Sequence, residues 1–165
     1  RMGASVNGAT PLVLDDLIFV SATYGTGAGL FRVNGQNLEE VWSSDDSMSN
    51  HYATSVYHDG YLYGYHGRQE YNPSFRAIEL STGEIKWNVD RFSAGTVTLA
   101  RDRLVVVREG GELLIADASS VGIEPLARAQ ILPPVIRAYP ALANGLLYVR
   151  NEDTLVCLDL RVSNH

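Results

Sequence analysis

The stretch Phe75-Arg76-Ala77-Ile78-Glu79-Leu80-Ser81-Thr82-Gly83-Glu84-Ile85-Lys86-Trp87 constrains this chain most. It reads as a strand, a tight Ser-Thr-Gly-Glu turn and a second strand ending on tryptophan. A unit of strand, turn, strand, loop, strand, turn, strand surrounds it. Weaker versions of that unit occur three more times. The residues that open each second strand, Leu17, Tyr61, Leu104 and Leu146, lie 44, 43 and 42 positions apart. Those that close each third strand, Asn34, Glu79, Asp117 and Asp159, lie 45, 38 and 42 apart. Four strands recurring at this period predict an all-β chain, a β-propeller of four-stranded antiparallel blades.

About four blades fit, at about 10–43, 52–89, 94–131 and 138–161, within one partial propeller domain over 10–165. The last unit has no fourth strand. Residues 1–9 lack a periodic pattern and read as a flexible lead-in, or as a strand that needs a partner. The second strands Leu17-Ile18-Phe19-Val20, Leu104-Val105-Val106-Val107 and Leu146-Leu147-Tyr148-Val149 are apolar on both faces. A sheet with one solvated face would alternate, whereas a blade covered on both sides by neighbours need not.

Composition removes several function classes. The net charge is −6 with both signs interspersed, which gives no basic face for nucleic acid. No stretch approaches the roughly 20 apolar residues of a membrane span. The single cysteine, Cys157, sits in the apolar run Thr154-Leu155-Val156-Cys157-Leu158. One thiol makes neither an internal disulfide nor a cysteine-rich zinc site, so Cys157 is expected in the core.

The pattern Ala-x-(acid)-x-x-Thr-Gly-x-x-x-Trp is complete at Ala77–Trp87 and partial from Val33-Asn34-Gly35 to Trp42. It survives as Ile115-Ala116-Asp117 and Cys157-Leu158-Asp159-Leu160. On these residues, and over most of 10–161, the chain resembles the PQQ-binding-like (quinoprotein alcohol dehydrogenase-like) β-propeller repeat family. The resemblance implies that Trp42 and Trp87 dock on the adjacent blade and that Gly83 supplies the turn. It implies a ring of seven or eight blades, of which this chain would be the C-terminal half, and a bacterial periplasmic or secreted location. No signal peptide is in view. A homodimer could complete an eight-bladed ring, with the N-terminal segment of one copy finishing the last blade of the other. Alternatively the missing blades belong to a parent protein, or the four close as a small ring. The expected function is a non-catalytic scaffold or binding module for protein or a small ligand. The alternative is part of a PQQ-dependent alcohol dehydrogenase-like oxidoreductase, with PQQ and calcium. One cysteine excludes the vicinal cysteine pair of those enzymes, and no Glu/Asn/Asp set for calcium stands out. No cofactor, catalytic residue or metal ligand is therefore assigned.

Gly25-Thr26-Gly27-Ala28-Gly29 precedes a strand and lacks phosphate-loop spacing, so it reads as a hairpin loop. His51, His58 and His66 lack zinc spacing. Asp45-Asp46 and Glu152-Asp153 read as solvated loops. Tyr61, Tyr63 and Tyr65 share one strand face, for packing between blades or as a carbohydrate or peptide platform. Propeller topology puts the links between blades and the loops between second and third strands on one face. That gathers His51, Tyr52, Arg91, Phe92, Arg137 and Tyr139 near the axis, with Tyr24, His66, Arg68 and Tyr71 further out. Such an Arg- and aromatic-rich funnel suits anionic or peptide ligands.

Overall fold

The computed structural model describes residues 8–161. Fifteen strands form four antiparallel sheets, each in sequence order. Blade 1 holds β1 (Leu12–Leu14), β2 (Leu17–Ala22), β3 (Gly27–Asn34) and β4 (Asn37–Ser44). Blade 2 holds β5 (Val56–His58), β6 (Tyr61–His66), β7 (Ser74–Glu79) and β8 (Ile85–Val89). Blade 3 holds β9 (Gly95–Ala100), β10 (Arg103–Arg108), β11 (Glu112–Asp117) and β12 (Pro125–Gln130). Blade 4 has three strands, β13 (Ala141–Ala143), β14 (Leu146–Arg150) and β15 (Leu155–Asp159). A single 3-10 turn, Gln69–Tyr71, interrupts the β6–β7 loop. Among the described residues no helix is long and apolar enough to cross a membrane. The proposed lead-in strand falls almost wholly outside the described residues.

Local chemistry sets the turns. Asp59 and Gly60 both have positive φ, 47° and 86°, as a type I′ hairpin requires. Gly83, at φ 73°, lies so close to the next aromatic that a Cβ there would meet Trp42 Cε3 at 2.9 Å. The Thr-Gly turn and the tryptophan of the preceding blade are thus one feature. Trp42 Nε1 donates to the Leu80 carbonyl at 2.8 Å, and Trp87 Nε1 donates to the Ser119 carbonyl at 2.7 Å. Each tryptophan pins its outer strand to the turn of the next blade. Three elements differ from expectation. β5 is only three residues long, because Thr54 and Ser55 turn their polar groups to the link, to Tyr139 and Asn50. β3 starts at Gly27, since Ala28 pairs with Ser21 and Gly29 with Val20. β12 is exposed along its whole length.

Three cores join consecutive blades. Phe19, Leu30, Met48, Leu62 and Ile78 seal blade 1 to blade 2. Tyr63, Tyr65, Phe75, Phe92, Val106 and Leu114 seal blade 2 to blade 3. Val105, Val107, Ile136, Leu147 and Val149 seal blade 3 to blade 4. Among the described residues no buried cluster joins blade 4 back to blade 1. β6 and β10 are buried on both faces. The end blades are covered on one face only. Val13, Ile18, Phe31 and Val20 share the open face of blade 1 by register, and Val13 and Val20 are exposed. Tyr148, Cys157 and Leu155 share the open face of blade 4. Cys157 is accordingly exposed, which corrects the expectation of a core thiol. Its run is apolar on both faces, but only one of them meets another blade.

Candidate functional site

The loops after β2, β6, β10 and the links between blades meet on one face. Their centre is Glu109, in the β10–β11 turn. Its Oε1 accepts three hydrogen bonds: from Gln69 Nε2 at 2.6 Å, Tyr52 Oη at 3.1 Å and Arg137 Nε at 3.1 Å. These donors come from the blade 2 loop, the blade 1–2 link and the blade 3–4 link. One carboxylate therefore ties three blades together at the loop face. Burial, and then the negative charge of Glu109, raise the Tyr52 phenol far above its ordinary range, so it stays a proton donor to that carboxylate.

His51 extends the network outward. Its Nδ1 accepts the Gln69 backbone N–H at 3.3 Å, and its Nε2 lies 3.3 Å from the Tyr24 hydroxyl. The Arg68 guanidinium sits between two rings, 4.3 Å from the centroid of Tyr24 and 4.8 Å from that of Tyr71, with Nη2 donating to Glu70 Oε1 at 3.1 Å. Contact with two rings restrains the guanidinium, and its Nη2 N–H meets a carboxylate. Tyr139 accepts the Thr54 N–H through its hydroxyl oxygen. It lines an open cavity of about 390 Å³ with Leu12, Val56, Val97 and Leu99, beside the innermost strands.

His66 lies further out with Arg68 and Tyr71, as expected, and Arg91 joins them there instead of at the axis. His66 and Arg91 both line a groove with Arg68, Tyr71, Asn72 and Arg76, away from Glu109. Arg91 is exposed and has φ 51°, while its neighbour Phe92 is buried with the Arg108 guanidinium 4.0 Å from its ring centroid. His66 Nδ1 accepts the Ser49 N–H at 3.1 Å, leaving Nε2 as the proton-bearing atom. Burial first, and the Arg76 charge second, lower its pKa to about 4. Tyr63 and Tyr65 are buried in the core between blades 2 and 3, so that tyrosine face packs blades and offers no ligand platform. Glu109 and Gln69 were not singled out by sequence. The signal for Glu109 was its position, an acid in a loop between a second and a third strand.

His66 gives a pH prediction. The unfolded chain takes up a proton at His66 near pH 6.5, whereas the folded chain resists until about 4. Stability is therefore fully present above pH 6.5 and falls as pH drops toward 4. Discounted for partial exposure, the loss is about 2 kcal/mol. In urea unfolding at pH 7 and pH 4.5, His66→Asn, which keeps an acceptor for the Ser49 N–H, should lose less stability than the wild type by roughly that amount. Parallel losses in the two proteins would contradict it.

No family model and no curated protein matches the chain in sequence. Solved structures do match. BamB from Moraxella catarrhalis superposes with TM-score 0.69 at 17% identity, over 90% of this chain and 41% of BamB. The computationally designed Ika4 protein matches with TM-score 0.69 at 12% identity, over 98% of this chain and 95% of that one. A europium-containing methanol dehydrogenase matches with TM-score 0.53 at 13% identity, over 78% of this chain and 27% of the enzyme. The chain is a β-propeller. It spans less than half the length of BamB, so the matched blades are one part of that larger propeller. At these identities the likeness establishes the propeller fold alone.

Proposed function

We propose that this propeller is a scaffold and binding module of the PQQ-like repeat type, working as half of a larger ring. The observation that carries this reading is the chemistry of the two open faces. Val13, Val20 and Val33 on blade 1, and Tyr148 and Leu155 on blade 4, are exposed apolar residues on surfaces whose opposite sides are packed cores. In the inner blades the equivalent surfaces are buried. Contiguous apolar faces of this kind mark an interface. A second copy would supply blade 1 against blade 4 twice, about a two-fold axis, and complete eight blades. The loop face tied by Glu109 would then ring the axis as a preorganised polar surface for a protein or small ligand. The resemblance to the quinoprotein-type repeats supports a periplasmic or secreted setting.

The dehydrogenase reading finds no support in the donor set. At the loop face Glu109 Oε1 is committed to Tyr52, Gln69 and Arg137, so that carboxylate serves the network between blades. Among the described residues no group of three His, Cys, Asp or Glu side chains gathers to hold a metal. No step through PQQ is derived.

Size-exclusion chromatography with light scattering tests the ring. The expected mass is twice the 18.1 kDa of one chain, with Val20→Glu or Tyr148→Glu returning it to the single-chain value. A wild-type monomer at tens of micromolar would overturn completion by a second copy.

A further inference from the structure

We propose that the groove on blade 2 lined by His66, Arg68, Tyr71, Arg76 and Arg91 binds a carboxylate of a short acidic peptide segment. This deepens the binding-module reading and rests on it. The first reason is Arg76. It is buried, yet its four hydrogen bonds run to neutral acceptors: the carbonyls of Asp46 and Ser47, Ser74 Oγ and Asn88 Oδ1. A buried cation without a contacting carboxylate favours an anion nearby. Four of its five N–H groups are used, with one on Nη2 remaining, so Arg76 supplies mainly field and the other residues supply contacts.

The second reason is the donor set around it. Arg91 is exposed and Arg68 is restrained by contact with two tyrosine rings. His66, with Nδ1 occupied by Ser49, carries its proton on Nε2 and can only donate there. Against these, Asp90 also lines the groove, its carboxylate held by Asn88 Nδ2 at 2.7 Å, and Glu70 pairs with Arg68. Asp46 also acts on Arg76, so the three guanidinium groups are partly balanced, and Arg91 is the exposed guanidinium that pairs with none of these carboxylates. The third reason is that a carboxylate already docks here. Glu70 is exposed, and its bond to Arg68 shows the edge a ligand carboxylate would take. The groove is open and about 580 Å³, larger than one small ion fills. Tyr71, exposed and stacked on Arg68, gives a flat apolar surface beside the charge.

The test is fluorescence anisotropy of a labelled hexapeptide rich in glutamate, against the full chain at low salt, with citrate as competitor. Arg68→Ala and Arg91→Ala should each weaken binding about tenfold, the scale of one charge-assisted contact. Arg32→Ala, which removes the same charge from blade 1, should leave it unchanged. Glu70→Gln should tighten binding several-fold by freeing the Arg68 edge. Loss in Arg32→Ala equal to that in Arg68→Ala would make the effect general charge and overturn the groove. Binding of citrate without binding of the peptide would overturn the peptide as occupant. Failure of all groove variants to change binding, with the two-copy mass intact, would reject this site while leaving the scaffold reading standing.

Discussion

Phe75→Ala is expected to destabilise the chain by about 3–5 kcal/mol, the range for removing a buried phenylalanine. Phe75 is fully buried at the junction of blades 2 and 3. Its ring stacks on Phe92 at 4.8 Å and meets Tyr65 edge-on at 5.0 Å and Trp87 at 5.8 Å. The site cannot collapse easily. Phe92 is held from above by Arg108, and Trp87 is tethered through Nε1 to Ser119. Both the transfer loss and the cavity therefore remain. Phe75→Leu keeps much of the volume and should cost about 1–1.5 kcal/mol, losing mainly aromatic contact. Urea unfolding of both variants checks the order. An alanine variant within 1 kcal/mol of wild type would mean that this core relaxes around the gap.

The blades were legible because two local signals coincide in blade 2 and recur in weaker form along the chain. The turn residues Asp59-Gly60 and Thr82-Gly83 fix hairpins through backbone conformation, and the tryptophans mark outer strands that reach the next blade. Both signals are local in sequence. What each strand face meets is not. Tyr63 and Cys157 both lie on apolar strands, yet Tyr63 is buried and Cys157 exposed, because blade 3 covers one and nothing described covers the other. The loop-face set was partly legible, since topology alone places Tyr52, His51, Arg137 and Arg68 on the side where loops and links meet. It placed His66 further out with Arg68 and Tyr71, where the groove lies, but put Arg91 near the axis instead of in that groove. The placement of Arg91 depends on its left-handed backbone, which leaves no sequence pattern. Glu109 escaped notice because its partners lie in three different blades.

Arg76→Met is expected to cost about 3 kcal/mol, and the reason lies in what it abandons. Removing a buried charge recovers desolvation energy, and where the partners are also replaced this can be neutral. Here the partners stay. The Asp46 and Ser47 carbonyls, which receive Arg76 Nη1 at 2.6 and 2.9 Å, would be left facing a thioether. Ser47 is buried, and an unpaired buried acceptor costs roughly 1–3 kcal/mol, whereas the exposed Asp46 costs less. Ser74 and Asn88 lose a donor as well. The loss of these bonds outweighs the recovered desolvation, although burial lowers the Arg76 pKa. Arg76→Lys keeps the charge, but one ammonium cannot span four acceptors held in a fan, so it should recover about half. The two variants separate structural from electrostatic roles. In urea unfolding, methionine should fall furthest. In the acidic-peptide titration, lysine should retain most of the binding and methionine should lose it. Equal peptide affinity in both would show that Arg76 holds the blade 1–2 link in place without contributing field to the groove.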